Sequence, residues 1–290
     1  MTDQIKGLLI TLAGVLLVVP DALFVRLITA EPLTIAFWRL FLAGGVSGLG
    51  ILLWRGTTPF RAVLNTGACG VIYMVGIGGS GVLFVLAVSL TSVANVVFII
   101  AALPVFAALF SRVFLAEPIR PAMVMTILSV AAGLGIIAAG SGENENAALS
   151  GDLLALCVAA LFAAGLTAAR RVRHVSMVPG AAMGYVVAAM LILPFTAPLS
   201  VPAGQVPLVL AHGIFILGSS VLLAIGPRFI SSPEVGLLVL LESVLAPLLV
   251  WAVVNEHPGQ WTLVGGAVVV GALSVSNFRM LMRRQIRSRQ

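Results

Sequence analysis

The chain has 290 residues, of which 60% are hydrophobic and 9% charged, with a net charge of +6. A soluble domain carries about 25% charged residues because its surface faces water, so this composition excludes a soluble globular fold and leaves lipid as the solvent. The cations sit at the ends of apolar runs or in the tail (Arg279, Arg283, Arg284, Arg287, Arg289), a scatter that sets orientation and argues against a nucleic-acid partner.

The first apolar run, 7–19, follows Lys6 and ends in Pro20-Asp21 with no small-x-small cleavage site, so a retained membrane helix is expected rather than a signal peptide. About twenty apolar residues cross ~30 Å of hydrocarbon. Residues 62–111 carry no charge and therefore hold two spans, with the turn near Ser89 to Ser92. The stretch 174–227 also holds two, broken at Pro198, Pro202, Gly204 and Pro207, where backbone donors are missing. The expected spans are 6–26, 32–54, 66–89, 92–114, 121–140, 151–169, 177–197, 206–227, 233–254 and 259–279.

Ten spans put both termini on one side. With the termini in the cytoplasm, fourteen of the sixteen cations fall inside: Lys6, Arg55, Arg61, Arg112, Arg120, Arg170, Arg171, Arg173, Arg228 and the five tail arginines. Arg26 alone falls outside and Arg39 lies within a span. The bias predicts a multi-pass inner-membrane protein with cytoplasmic termini.

The polar stretch 141–150, with Glu143, Asn144, Glu145 and Asn146, divides the chain into halves of five helices. Ser92, Val96, Val105, Ala107, Leu109 and Glu117 recur as Ser231, Val235, Val244, Ala246, Leu248 and Glu256, each 139 positions later. An odd number of spans per half makes the second half enter the membrane in the opposite sense. The expected fold is an all-α membrane protein, ten transmembrane helices as two inverted five-helix repeats (1–142 and 150–280) with a basic cytoplasmic tail at 281–290. Inverted repeats are a signature of transporters, whose mirrored halves rock around one midplane site.

The run Pro32-Leu33-Thr34-Ile35-Ala36-Phe37-Trp38-Arg39 opens the second helix, and Leu90-Thr91-Ser92-Val93-Ala94-Asn95 leads to Pro104 and then Glu117-Pro118. These residues resemble the EamA repeat of the drug/metabolite transporter superfamily, and within it the chain looks most like the aromatic amino-acid exporter branch. The second copy keeps Glu256 but departs at Glu242 and Pro247. The resemblance implies a central cavity among helices 1–4 and 6–9, with helices 5 and 10 as scaffold. It implies alternating-access export of amino acids, aromatic ones included, with no enzymatic activity. Two other readings stand beside it: efflux of cationic drugs by the same fold, and a membrane-embedded enzyme acting on lipid-linked substrates. The enzyme would need a polar catalytic cluster at one interface.

Arg39 lies eight residues after Glu31, ~12 Å below the boundary at ~1.5 Å per residue. It either contacts a substrate carboxylate or is pinned to Glu31, Asp21 or helix carbonyls. Glu242, near the middle of helix 9, is a proton-coupling acid, a holder of a substrate amine, or the partner of Arg39. Trp38, Tyr73, Phe84, Phe98 and Tyr185 are candidates to line an amphipathic pocket, though such aromatics are ordinary packing residues in membranes. Asn95, placed near the cytoplasmic end of helix 4, and His212 in helix 8 are further polar candidates. Pro20, Pro104 and Pro247 are expected to interrupt helices 1, 4 and 9 and to serve gating. Gly76-x-Gly78-x-x-Gly81 lacks the strand–turn–helix of a dinucleotide loop and reads as a close-packing face. Gly44-x-x-x-Gly48 and Ala267-x-x-x-Gly271 read the same way. Cys69 and Cys157 give neither a disulfide framework nor metal-ligand spacing, so no metal or cofactor is expected. The expected partners are a small-molecule substrate and membrane lipid, and a monomer is compatible with all of this.

Overall fold

The computed structural model describes residues 3–119, 121–140, 148–226, 229–230 and 232–287. Arg120, Arg228, Ser231, Arg289, Ser141 and the acidic positions 143 and 145 lie outside them. The described chain is 86% helix with no strand. Ten helices are long and apolar enough to cross a membrane: Asp3–Leu27, Pro32–Arg55, Ala68–Leu90, Val93–Phe114, Pro121–Gly140, Leu149–Arg171, Val178–Phe195, Ala203–Ile225, Glu234–Val254 and Gln260–Met282. They are spans 1 to 10 below. Lipid offers no hydrogen bonds, so each span must satisfy its own backbone, and helices are how a single segment does that. Ten crossings put the described ends on one face, here the termini side; the opposite face is the far side.

Two of the three prolines coincide with breaks. Span 1 is two helices, Asp3–Val18 and Asp21–Leu27, with Pro20 at the junction. Span 4 is Val93–Ile100 followed by Leu103–Phe114, with Pro104 in the first turn of the second piece. Pro247 does not interrupt its span: one helix runs Ser232–Val254 straight through it. A proline removes one N–H bond, whereas a full break would strip several backbone groups in hydrocarbon, so the helix persists. Two further differences concern ends. A short helix, Thr58–Leu64, lies between spans 2 and 3, and the last helix runs Gln260–Arg287, so most of the basic tail is helical. Three 3-10 turns fill the proline-rich connection between spans 7 and 8.

The repeats interleave. Span 3 packs on spans 6 and 7, span 2 on spans 7 and 8, span 1 on spans 8 and 9, and span 5 along span 10. The glycine run of span 3 makes the first contact possible. A Cβ at Gly76 would stand 2.6 Å from the Leu161 carbonyl oxygen, and one at Gly78 would strike the Gly184 carbonyl. Gly44 likewise abuts Ala182 and Tyr185. Gly271 faces open space, so the small-residue face expected there is instead carried by Gly265, against Gly133 and Ile137 of span 5. The largest buried apolar cluster lies toward the far side, where Val85, Val88, Val96, Ile99, Val158, Val209 and Val250 meet.

Candidate functional site

The break at Pro20 starts a new helix at Asp21, and this sets an acid at membrane depth inside the bundle. Asp21 is 3% exposed, Arg39 7% and His212 1%. Arg39 Nε donates to Asp21 Oδ1 at 2.9 Å and Nη2 to Oδ2 at 2.6 Å, a two-pronged ion pair. His212 Nε2–H donates to Asp21 Oδ1 at 2.6 Å, leaving Nδ1 as the second ring position for a proton. The guanidinium lies over the Phe84 ring at 5.2 Å, Nη1 reaches toward the Gly81 carbonyl at 3.5 Å, and Phe24 stacks on the imidazole at 5.2 Å. Gly81 is required here, since a Cβ on it would stand 3.2 Å from Arg39 Nη1 and closer still to Leu40. One carboxylate of the first repeat thus holds a cation from the same repeat and an imidazole from the second. Isolated charges at this depth are expensive, and only mutual pairing makes them tolerable.

Glu242 is half-buried and lies within electrostatic reach of both Arg39 and Asp21. Arg39's ion pair goes to Asp21, so the pairing of Arg39 with Glu242 allowed by their similar depth is not formed. Among the described residues Glu242 has no hydrogen-bond or ion-pair partner. Tyr185 lies in the same electrostatic neighbourhood.

The other expected site residues disperse. Trp38 Nε1 donates to the Pro198 carbonyl at 3.0 Å, which ties span 2 to the loop between spans 7 and 8. Tyr73 packs with Val63, Ile77 and Met177 toward the termini side, away from Arg39. Phe98 closes over Gly266 and borders an apolar crevice of about 130 Å³ with Pro247 and Trp251. Asn95 corrects the sequence reading more sharply. It sits in the first turn of span 4, beside the turn from span 3, so it is on the far side, at the end of its helix opposite to the one expected.

There Asn95 belongs to a buried polar network that composition did not announce. Its Nδ2 donates to both Asp152 oxygens (3.0 and 3.2 Å), Thr91 Oγ1 donates to Asp152 Oδ1 at 2.8 Å, and Thr262 Oγ1 donates to Asn95 Oδ1 at 2.6 Å. Arg26, the one cation that the sequence reading assigns to an outside loop, forms an ion pair with Glu256 at 2.8 Å. Its Nη2 donates to the Thr91 carbonyl at 2.9 Å, and Glu256 Oε1 accepts from Val93 N at 2.7 Å. The topological anomaly at Arg26 and the recurring Glu117/Glu256 were the sequence signals for this rim. Gln205 and Thr29 also bond across the repeats, on the same side.

Two inverted bundles joined at membrane depth by a shared charge cluster define a class, the multi-pass membrane transporter. Residues 5–139 and 149–278 each match the EamA-like transporter family, and the chain belongs to that family, whose members move small molecules across membranes. A solved chain described only as "Crystal structure of protein" shares the fold at TM-score 0.66 and 22% identity, covering 97% of this chain and 98% of its own. No curated protein matches.

Proposed function

We propose that the protein is an exporter of small amphiphilic metabolites carrying an ammonium group, amino acids (aromatic ones included) foremost, working by alternating access from a bacterial-type inner membrane with both termini cytoplasmic. One observation carries the reading: at membrane depth the cation Arg39 is already neutralised by Asp21, while Glu242, within electrostatic reach of both, has no hydrogen-bond or ion-pair partner among the described residues. An unpaired acid in that position is a receptor for a cationic group, and an intramembrane ionisable residue is a functional candidate by default. A single carboxylate that holds either a substrate ammonium or a proton makes the two compete, and competition at one alternating site produces exchange. Phe84, Phe24 and Tyr185 supply apolar and aromatic surface around the cluster for the rest of such a molecule.

The same acid, without a partner among the described residues, also favours the second reading, efflux of cationic drugs, because an amine alone satisfies it. The two differ in the carboxylate. An amino acid needs a cation as well, and its carboxylate would share Arg39 with Asp21 or take the imidazole of His212.

Proteoliposomes loaded with radiolabelled phenylalanine or phenethylamine decide between them. The amino-acid reading expects exchange of phenylalanine that Glu242→Gln and His212→Ala both weaken. Exchange of phenethylamine alone, weakened by Glu242→Gln and indifferent to His212→Ala, selects the cationic reading. Full exchange of both by Glu242→Gln removes the carboxyl from the site.

A further inference from the structure

The Arg26–Glu256 ion pair has a counterpart in the other repeat, and the two are in different states. Glu117 and Glu256, Val93 and Ser232, and Thr91 and Ile230 each differ by 139 positions. Arg26 and Arg170 each stand in the last turn of the first span of their repeat. Arg170 pairs with Glu117 at 3.0 Å on the termini side, as Arg26 pairs with Glu256 at 2.8 Å on the far side. The far-side pair also grips a third element. Glu256 takes the Val93 N–H at the start of span 4, and Arg26 takes the Thr91 carbonyl just before it. Repeat equivalence puts the matching termini-side groups at the Ser232 N–H and the Ile230 carbonyl, at the start of span 9. Among the described residues, Arg170 and Glu117 reach neither.

The grip matters because of what it spans. Spans 3, 4 and 6 pack as one group and spans 1, 8 and 9 as another. The bonds from Glu256 and Arg26 run from the second group to the turn between spans 3 and 4, and so cross the seam. They do so where the Asp21–Leu27 helix also meets span 3 and Val93–Ile100 meets span 9.

We propose that these are two latches of one switch, engaged in alternation: Arg26–Glu256 holds the far side shut in the state described, and Arg170–Glu117 grips the first turn of span 9 when the termini side shuts instead. The proposal rests on alternating access, given above as the working mode.

The test replaces Cys69 and Cys157 by alanine and places spin labels at exposed positions on either side of the seam. One pair is Leu153 with Val253 on the far side; the other is Val113 with Leu9 on the termini side. Glu256→Gln should lengthen the far-side distance and shorten the termini-side one. Glu117→Gln should leave the far-side distance short and narrow the distribution, with the combined variant returning toward the parent. Movement of both pairs in the same direction for the two substitutions, or no movement in either, overturns the proposal. If Glu256→Gln broadens every distance by unfolding, Glu256→Asp, which keeps the charge but withdraws it from Val93, decides by the same criterion. The distances need no substrate, so failure of the exchange assay would remove the functional reading while this test stood, and the reverse holds too.

Discussion

The far-side rim and the termini-side rim are built from equivalent parts of an inverted repeat, yet the same residue types do different work in them. On the far side the side chains of Arg26 and Glu256 are 22% and 11% exposed; on the termini side those of Arg170 and Glu117 are 60% and 42% exposed. Asn95 bonds Asp152 in a fully enclosed network, whereas Glu234, its counterpart 139 positions on, accepts from Gln4 at 2.7 Å in the open. Water competes freely for the ion pair of the termini-side rim and much less for that of the far-side rim. The repeat thus carries the same arginine–glutamate chemistry twice, and burial is what sets the two copies apart.

The comparison is broken most forcefully at the buried cluster beneath the far rim. Arg39→Ala strands Asp21 as an uncompensated acid, and removing one partner of a buried pair costs about 3–5 kcal/mol. Purified Arg39→Ala should lose thermal stability or fail to accumulate, whereas Arg55→Ala, at the exposed end of the same span, should melt with the parent. Equal behaviour of the two would show that depth is not what matters here. Asp21→Asn should resemble Arg39→Ala. Glu242→Gln should not, since it removes no bonded partner, and a large drop in its melting temperature would reveal a partner for that carboxyl.

Next in size is the polar network. Asn95→Ala leaves Asp152 and Thr262 without their shared partner, and a buried polar group left unsatisfied costs about 1–3 kcal/mol. On the termini side Gln4→Ala, which removes the donor to Glu234, loses a hydrogen bond that water replaces. Thermal melts in one detergent should separate the two clearly, and a match between them would mean that the far rim is wetter than its burial indicates.

The smallest effect belongs to the termini-side ion pair. An exposed pair contributes about 0–1 kcal/mol, so Arg170→Ala should melt with the parent while Arg26→Ala falls below it. High salt should leave the difference in place, because the Arg26–Glu256 pair is partly shielded from solvent. Orientation is checked separately by labelling: Leu199→Cys, fully exposed on the far side, should react with an impermeant reagent from the periplasm and Arg173→Cys only from the cytoplasm. The opposite pattern would invert the assignment of both rims.

The sequence by itself determined the ten spans and their pairing into two repeats, because hydrocarbon imposes a length and an apolarity that single residues cannot evade. It also marked Arg39 and Glu242, since a charge inside an apolar run is conspicuous with no knowledge of its neighbours. It did not determine whom they meet. Asp21, Arg39 and His212 come from spans 1, 2 and 8, and the choice of Asp21 over Glu242 as the arginine's partner depends on where the Pro20 break points the start of the Asp21–Leu27 helix. Asn95 and Asp152, Thr91 and Thr262 are unremarkable letters in a membrane sequence, and only the packing of span 6 and span 10 against the turn before span 4 gathers them. Repeat symmetry is local in sequence and therefore legible. The difference between its two copies lies in which of them is buried, and burial is a property of the whole fold.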